Sequence, residues 1–199
     1  ERRSRFNRIN QNGPVEMGWR GTSQRINLNR DYIKADAPEM RALIGLIDEV
    51  DPDLLIDTHT TNGADYRYDL TWFLEEWDNQ HPAIRDWQRE ALIGRVFPAL
   101  EKQGHLLAPY LELNDGTDPA KGFSNFGSGP RFSTGYAAVR NRAGLLVETH
   151  MLKSYPVRVR ATYDLLAAVL DEIAAHPGAL RAAVQRADAE TVARAGRAD

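Results

Sequence analysis

Two short stretches set the architecture expected of this chain: LLIDTHT at residues 54–60 and GLLVETH at residues 144–150. Each contains a short apolar run, typical of a strand buried on both faces, and continues directly into polar residues. One helical pattern precedes the first stretch, and another lies between the two. Because strands that alternate with helices pack as layers, the sequence predicts an α/β domain.

The helix before residue 54 has clear start and stop signals. Asp36 is expected to be its N-cap, Pro38 lies in its first turn, and Glu39 stands three residues after the cap. The apolar face runs to Val50, where an Asp-Pro-Asp segment follows. Further predicted elements are a strand within the aromatic-rich segment 66–77, a helix over 81–103, a strand within 105–113, a loop over 114–135, and helices over 156–175 and 177–195.

The composition is that of a globular protein and excludes some kinds of site. Of 199 residues, 42% are hydrophobic and 27% are charged, and the net charge is -3. Neither nucleic acid nor a membrane is therefore an expected partner. The chain has no cysteine, which excludes disulfides and thiolate metal sites. Its first 30 residues hold seven arginines, but interleaved apolar residues make this segment unlike a fully solvated tail.

Ionisable residues follow both strand runs: His59 after the first and Glu148 after the second. In open α/β sheets, ligands bind outside the carboxyl ends of the strands, so the two are candidates for one site. Taken alone, each is better explained as a hydrogen-bonded polar residue at the start of a loop. His150 either lines the same pocket or makes a structural hydrogen bond. Asp57, two residues before His59, is expected to face the opposite way and is assigned no ligand role.

A third feature is the tripeptide Asn29-Arg30-Asp31, which follows a strand expected at residues 25–28. A guanidinium group has the geometry for bidentate capture of a carboxylate, and an adjacent amide adds a further hydrogen bond. The alternative is a surface turn in which Arg30 pairs with Asp31.

Taken together, these features resemble the M14 family of zinc carboxypeptidases, in the form found in bacterial members. The matching segments are INLNRDYIKADAPEMRAL at 26–43, PDLLIDTHT at 52–60 and FSTGYAAVRNRAGLLVETHMLK at 132–153. They occur in the family's order, and the resemblance covers roughly residues 1–170. It implies a mixed, mostly parallel sheet with helices on both faces, of which this chain would carry an incomplete version.

The resemblance also implies roles for single residues. His59 resembles the family's third zinc ligand, and Asn29 and Arg30 resemble the pair that holds the substrate's terminal carboxylate. Glu148 resembles the residue that serves as general base and then as general acid.

Two further roles rest on looser matches. Arg20, in Gly18-Trp19-Arg20, resembles the arginine that stabilises the oxyanion. Tyr136 is a candidate for the mobile tyrosine that covers the bound substrate. Its spacing of 12 residues to Glu148 is shorter than expected for that tyrosine, so a packing role is the alternative.

The family's other two zinc ligands come from an early His-x-x-Glu segment, which this sequence lacks. None of its five histidines has Glu three residues later. Because the chain also begins without methionine, we expect a piece of a longer enzyme, inactive by itself, with one zinc ion in the complete protein. A degenerate, non-catalytic member is the alternative. Residues 1–175 are predicted to be the later part of the catalytic domain, and residues 176–199 a helical extension.

The expected activity is zinc-dependent removal of the C-terminal residue from a peptide with a free terminal carboxylate. A second reading is an N-acyl amino acid deacylase of the aspartoacylase kind, which shares several of these motifs. A third is a domain that binds peptide carboxylates without chemistry. The sequence fixes neither the substrate side chain nor the oligomeric state. It leaves the compartment open too, with a periplasmic or secreted full-length protein as one alternative.

Overall fold

The computed structural model describes residues 21–61, 66–115, 118–125 and 127–196, and the backbone of residues 2–4 and 16–18. The strands are β1 Arg2–Ser4, β2 Glu16–Gly18, β3 Leu54–Thr60, β4 Leu70–Leu74, β5 Leu107–Pro109, β6 Glu112–Leu113, β7 Phe123–Ser124 and β8 Ala143–Thr149. The α-helices are α1 Pro38–Val50, α2 Pro82–Trp87, α3 Phe97–Lys102, α4 Ser133–Val139, α5 Tyr155–Ala175 and α6 Ala179–Arg194. A π-helical stretch, Gln88–Val96, joins α2 to α3, and short 3-10 turns lie at Leu28–Arg30 and Pro119–Lys121.

The central sheet has the strand order β3–β8–β4–β5. β3 runs parallel to β8, β4 runs antiparallel to β8, and β5 runs parallel to β4. The predicted α/β class with a mixed, mostly parallel sheet is therefore confirmed. Two small antiparallel pairs, β1–β2 and β6–β7, lie outside this sheet.

Alternate residues of β8 face two different layers of helices. Leu145 and Val147 belong to the main core, together with residues of α2, α3, α5 and α6. Gly144 faces the other way, where a Cβ atom would lie 3.1 Å from the Cα of Thr134 and 3.2 Å from the Cβ of Ala137 in α4. Because side chains alternate along a strand, Glu148 lies on the α4 side, as Gly144 does.

The main core lies between the sheet and the helices on one of its sides. Its buried members are Leu70, Leu74, Ile84, Trp87, Ala91, Leu92, Val96, Phe97, Leu100, Ala143, Leu145, Val147, Ala161, Leu165, Val169, Leu180, Val184 and Ala187. The last three lie on α6, so the segment predicted as a C-terminal extension packs into the same core. None of the described helices is long and apolar enough to cross a membrane.

Helix α1 packs on the other side in a second, smaller cluster with Tyr32, and Met40 and Ile47 are its buried apolar residues. The predicted N-cap was wrong by one residue, since Ala37 occupies that position. The acceptor at this helix start is the Asp31 carboxylate, which receives hydrogen bonds from the Asp36 and Ala37 backbone N–H groups at 3.1 and 2.9 Å. Asp31 is thus not the surface partner of Arg30 considered from the sequence.

Three local predictions differ from the structure. The strand expected over 105–113 is divided into β5 and β6, and residues 25–28 do not form a strand. The loop expected over 114–135 contains a 3-10 turn, β7 and the start of α4. These elements are too short to produce a periodic pattern in the sequence.

Candidate functional site

The two strand-end residues lie side by side. In the parallel pairing of β3 with β8, His59 is opposite Glu148. Neighbouring residues in register project from the same face of a sheet, so both side chains are directed towards the α4 side. The predicted meeting of His59 and Glu148 at one edge of the sheet is therefore observed.

A cavity of about 390 Å³ opens at this edge. Four of the predicted site residues line it: Asn29, Arg30, His59 and Glu148. The other lining residues are Thr60, Thr61, Tyr66, Phe73, Tyr110, Glu112, Ser124, Asn125, Ser128, Phe132, Thr134 and Leu146. The chain thus brings together segments that are more than 100 residues apart in sequence.

The arginine of the cavity is held by local contacts. Asn27 caps the 3-10 turn at Leu28–Arg30, its side chain accepting a hydrogen bond from the Asn29 N–H at 3.2 Å. The Arg30 guanidinium lies 4.3 Å from the ring centre of Phe132 and donates to the Asn29 carbonyl oxygen at 2.6 Å. A guanidinium group over an aromatic ring keeps all its N–H donors for hydrogen bonds, the groups that a carboxylate binds.

His59 is oriented by a carboxylate that the sequence interpretation set aside. Its Nε2 lies 2.8 Å from Asp57 Oδ2, and the Ser133 hydroxyl donates to the same oxygen at 2.5 Å. The prediction that Asp57 faces away was wrong, because residues two apart on a strand share a face. Burial opposes the charge of Asp57, but the hydrogen bonds and charge of its partners prevail and lower its pKa.

Two tyrosines and a second carboxylate surround Glu148. The Tyr110 hydroxyl donates to Glu112 Oε1 at 3.3 Å. Burial raises the pKa of both Tyr110 and Tyr66, and the charges of Glu148 and Glu112 raise it further. No pattern in the sequence pointed to these three residues, because β5 and β6 are too short for a pattern and aromatic residues are more often found in cores.

The floor of the cavity is braced by a fully buried carboxylate, Glu75. It accepts hydrogen bonds from the Ser128 backbone N–H at 3.1 Å, from the Ser128 hydroxyl, and from Thr134 Oγ1 at 3.2 Å. Its other oxygen accepts from Asn79 Nδ2 at 3.0 Å. Since Ser128 and Thr134 line the cavity, Glu75 fixes that part of its wall. Sequence reasoning missed Glu75, which lies in an acidic pair typical of a surface.

Two predicted catalytic residues lie elsewhere or outside the described part of the chain. Tyr136 packs against Tyr32 with ring centres 5.4 Å apart, its hydroxyl accepts from Arg140 Nη1 at 3.2 Å, and it is not among the described residues that line the cavity. These contacts favour the packing alternative for Tyr136. Arg20 lies outside the described residues.

His150 makes a structural hydrogen bond and does not line the cavity directly. The side chain is fully buried, its Nδ1 lies 3.2 Å from Thr61 Oγ1, and its ring centre lies 4.6 Å from that of Tyr66, with the two ring planes tilted by 43°. Burial, with a smaller effect of Lys153, lowers the pKa of His150 to about 4. The imidazole is therefore neutral at pH 7 and supports two residues of the cavity wall.

Zinc is the cofactor that the resemblance implies. In the described part of the chain, no group of three His, Cys, Asp or Glu side chains is placed to hold a metal ion. His59 is the one imidazole among the described lining residues, whereas a catalytic zinc site takes three protein ligands. The described residues therefore do not by themselves fit a zinc ion.

Comparison of the chain with protein-family models, with curated proteins and with solved structures gives no match. The likeness to zinc carboxypeptidases consequently rests on the motifs quoted above. The geometry adds that four residues of those motifs line one cavity.

Proposed function

We propose that this cavity is the substrate site of a carboxypeptidase-like hydrolase that acts on the C-terminal bond of a peptide. One observation carries the proposal: His59 and Glu148 are neighbours on adjacent strands, and they line the same cavity as Asn29 and Arg30. A carboxylate-binding pair and a general base are thus available to a single small substrate.

Arg30 and Asn29 would hold the free carboxylate of the substrate. Arg30 is braced on Phe132, so its side chain loses little freedom when it binds an anion. A requirement for a free carboxylate would restrict binding to chain ends, which is the basis of exopeptidase selectivity.

Glu148 would act on the water molecule that attacks the scissile carbonyl carbon. Its carboxylate would take one proton from the water and deliver it to the leaving amine nitrogen, giving a shortened peptide and a free amino acid. A zinc ion supplies polarisation of the carbonyl in enzymes of this kind. Any zinc ligands besides His59 would have to come from outside the described residues.

Binding by the 199-residue chain tests the first half of the proposal. N-acetyl-alanyl-alanine and its C-terminal amide would be compared by isothermal titration calorimetry. We expect the acid to bind at least tenfold more tightly, and Arg30→Ala to remove that difference, because a bidentate charged pair is lost. Arg186→Ala, which removes an exposed arginine on α6, is the matched control and should leave binding unchanged. Equal affinity for acid and amide would overturn the proposal.

Hydrolysis tests the second half. Zinc content by plasma mass spectrometry and release of C-terminal residues would be measured on this chain and on a version extended upstream. We expect zinc and turnover in the extended protein, with turnover lost and binding retained in Glu148→Gln. Turnover by the 199-residue chain would refute the expectation that it is inactive alone. Cleavage of N-acetyl amino acids in preference to peptides would favour the deacylase reading.

A further inference from the structure

One side of the cavity is formed by the β6–β7 strand pair, here called the arm, which the proposed reaction does not use. In the β6–β7 pair, Glu112 lies opposite Ser124, and both residues line the cavity. Between the two strands, Lys121 and Asp115 form an ion pair of 2.5 Å. The Glu112 carboxylate is therefore held at the cavity by paired backbone rather than by a free loop.

The arm is also hydrogen-bonded to the central sheet, at β4, the strand next to β8. The Tyr110 N–H donates to the Trp72 carbonyl oxygen at 2.7 Å, immediately beyond the pairing of β5 with β4. β4 in turn pairs with β8, where Thr71 lies opposite Glu148. Glu112 is thus fixed relative to Glu148 through the backbone of three adjoining strands.

Two carboxylates act on the tyrosines at this side of the cavity. The carboxylates of Glu148 and Glu112 both disfavour ionisation of Tyr66 and Tyr110, which raises the pKa of each phenol beyond the effect of burial. Carboxylates that disfavour a phenolate favour a cation placed close to them. The two half-buried rings add faces on which an ammonium or guanidinium group can lie.

The described residues that line the cavity carry charges of both signs. Among the described lining residues, Arg30 is the one lysine or arginine, whereas the carboxylates are Glu112 and Glu148. In the proposed reaction Arg30 binds the substrate carboxylate and Glu148 moves a proton. Glu112 remains as a carboxylate in the same cavity without an assigned role.

We infer that Glu112, with Tyr110 and Tyr66, forms a subsite for a positively charged group on the substrate whose carboxylate binds at Arg30. The substrate class is then a peptide that carries an ammonium or guanidinium group close to its C-terminus. This inference rests on the proposed function, since it takes the carboxylate end of the ligand from it.

The test uses two pairs of peptides that differ in one charge and have nearly equal length. They are N-acetyl-Ala-Lys with N-acetyl-Ala-norleucine, and N-acetyl-Lys-Ala with N-acetyl-norleucine-Ala. Dissociation constants for the 199-residue chain would be measured by isothermal titration calorimetry at two salt concentrations. We expect one lysine peptide to bind roughly two- to fivefold more tightly than its norleucine partner, the range of an exposed ion pair. The preference should shrink as salt rises.

Glu112→Gln should abolish this preference and leave the affinity for the norleucine peptides unchanged. Glu101→Gln removes the same charge from an exposed position on α3 that does not line the cavity, and it should behave as the unaltered chain does. Glu112 is exposed, and among the described residues its carboxylate accepts a weak hydrogen bond from Tyr110, so the variant should fold, as circular dichroism would verify. Glu112→Lys should reverse the preference towards a glutamate peptide.

Failure of the inference and failure of the proposed function give different results. If all four peptides bind and lysine gives no advantage, or if the advantage survives Glu112→Gln, the subsite is wrong and the carboxylate site stands. If no acid binds, the proposed function fails, and the amide of N-acetyl-Ala-Lys decides the subsite. If the amide binds and Glu112→Gln abolishes that binding, the subsite is supported. If the amide does not bind, the subsite is overturned.

Discussion

Replacing Glu75 by glutamine should weaken the fold beside the cavity by a measurable amount. One Glu75 oxygen accepts three hydrogen bonds from Ser128 and Thr134, and the other accepts one from Asn79. A glutamine amide has a single acceptor oxygen. If that oxygen serves the three donors, its NH₂ group is directed at the Asn79 NH₂ group, and two donors then face each other. At least one hydrogen bond to a charged acceptor is lost, which costs about 1.5–3 kcal/mol.

The assay is urea unfolding followed by circular dichroism, with the free energy of unfolding obtained by linear extrapolation. Glu76→Gln is the matched control, because it makes the same substitution at the next residue. Glu76 forms a partly exposed ion pair of 2.9 Å with Arg89, and the expected cost of losing that pair is about 0.2–1 kcal/mol. Surface substitutions usually change the free energy of unfolding by no more than about 0.5 kcal/mol. A Glu75→Gln variant within that range of the unaltered chain would refute the reasoning. So would a loss of stability no larger than that of Glu76→Gln.

Two further predictions concern a buried imidazole and a close helix–loop contact. The folded-state pKa of His150 is about 4, below the ordinary 6.5, so the unfolded chain binds a proton more readily. His150 should therefore destabilise the fold as pH falls from about 6.5 towards 4, by about 2 kcal/mol between pH 7.5 and 5. Urea unfolding at both pH values should show that His150→Gln is less pH-sensitive, and an equal pH dependence would contradict the assignment. At Gly135, a Cβ atom would lie 2.3 Å from the Gly129 carbonyl oxygen, so Gly135→Ala should cost about 1–3 kcal/mol. Gly45→Ala meets nothing within 4 Å on helix α1 and should instead stabilise by about 0.5–1 kcal/mol, which melting temperatures would show. A Gly135→Ala variant as stable as Gly45→Ala would count against this contact.

The elements with long, local patterns were predictable from the sequence. The apolar runs at 54–56 and 144–147 gave β3 and β8, and helical spacing gave α1, α5 and α6 with errors of a few residues at their ends. The positions of His59 and Glu148 followed because each residue comes at the end of such a run. Asn29 and Arg30 were found by motif resemblance, since a three-residue turn has no periodic pattern of its own.

The partnership of Asp57 with His59 was also within reach of the sequence, because a strand has a period of two residues. The expectation that the two residues diverge misapplied that period. Tyr136 shows the opposite limit: a motif match suggested a role over the substrate, whereas the fold packs its ring on Tyr32.

Local pattern thus determined which segments become strands and helices, and which polar residues stand at strand ends. The fold alone determined that Tyr66, Tyr110 and Glu112 meet Glu148, and that Glu75 is buried beneath Ser128. The first three residues lie 36 to 82 positions from Glu148 along the chain, and Glu75 lies 53 positions from Ser128. The physical reason is that a residue's charge and hydrogen-bonding capacity can be read from its type, whereas its partners depend on strand order and register, which long-range packing sets.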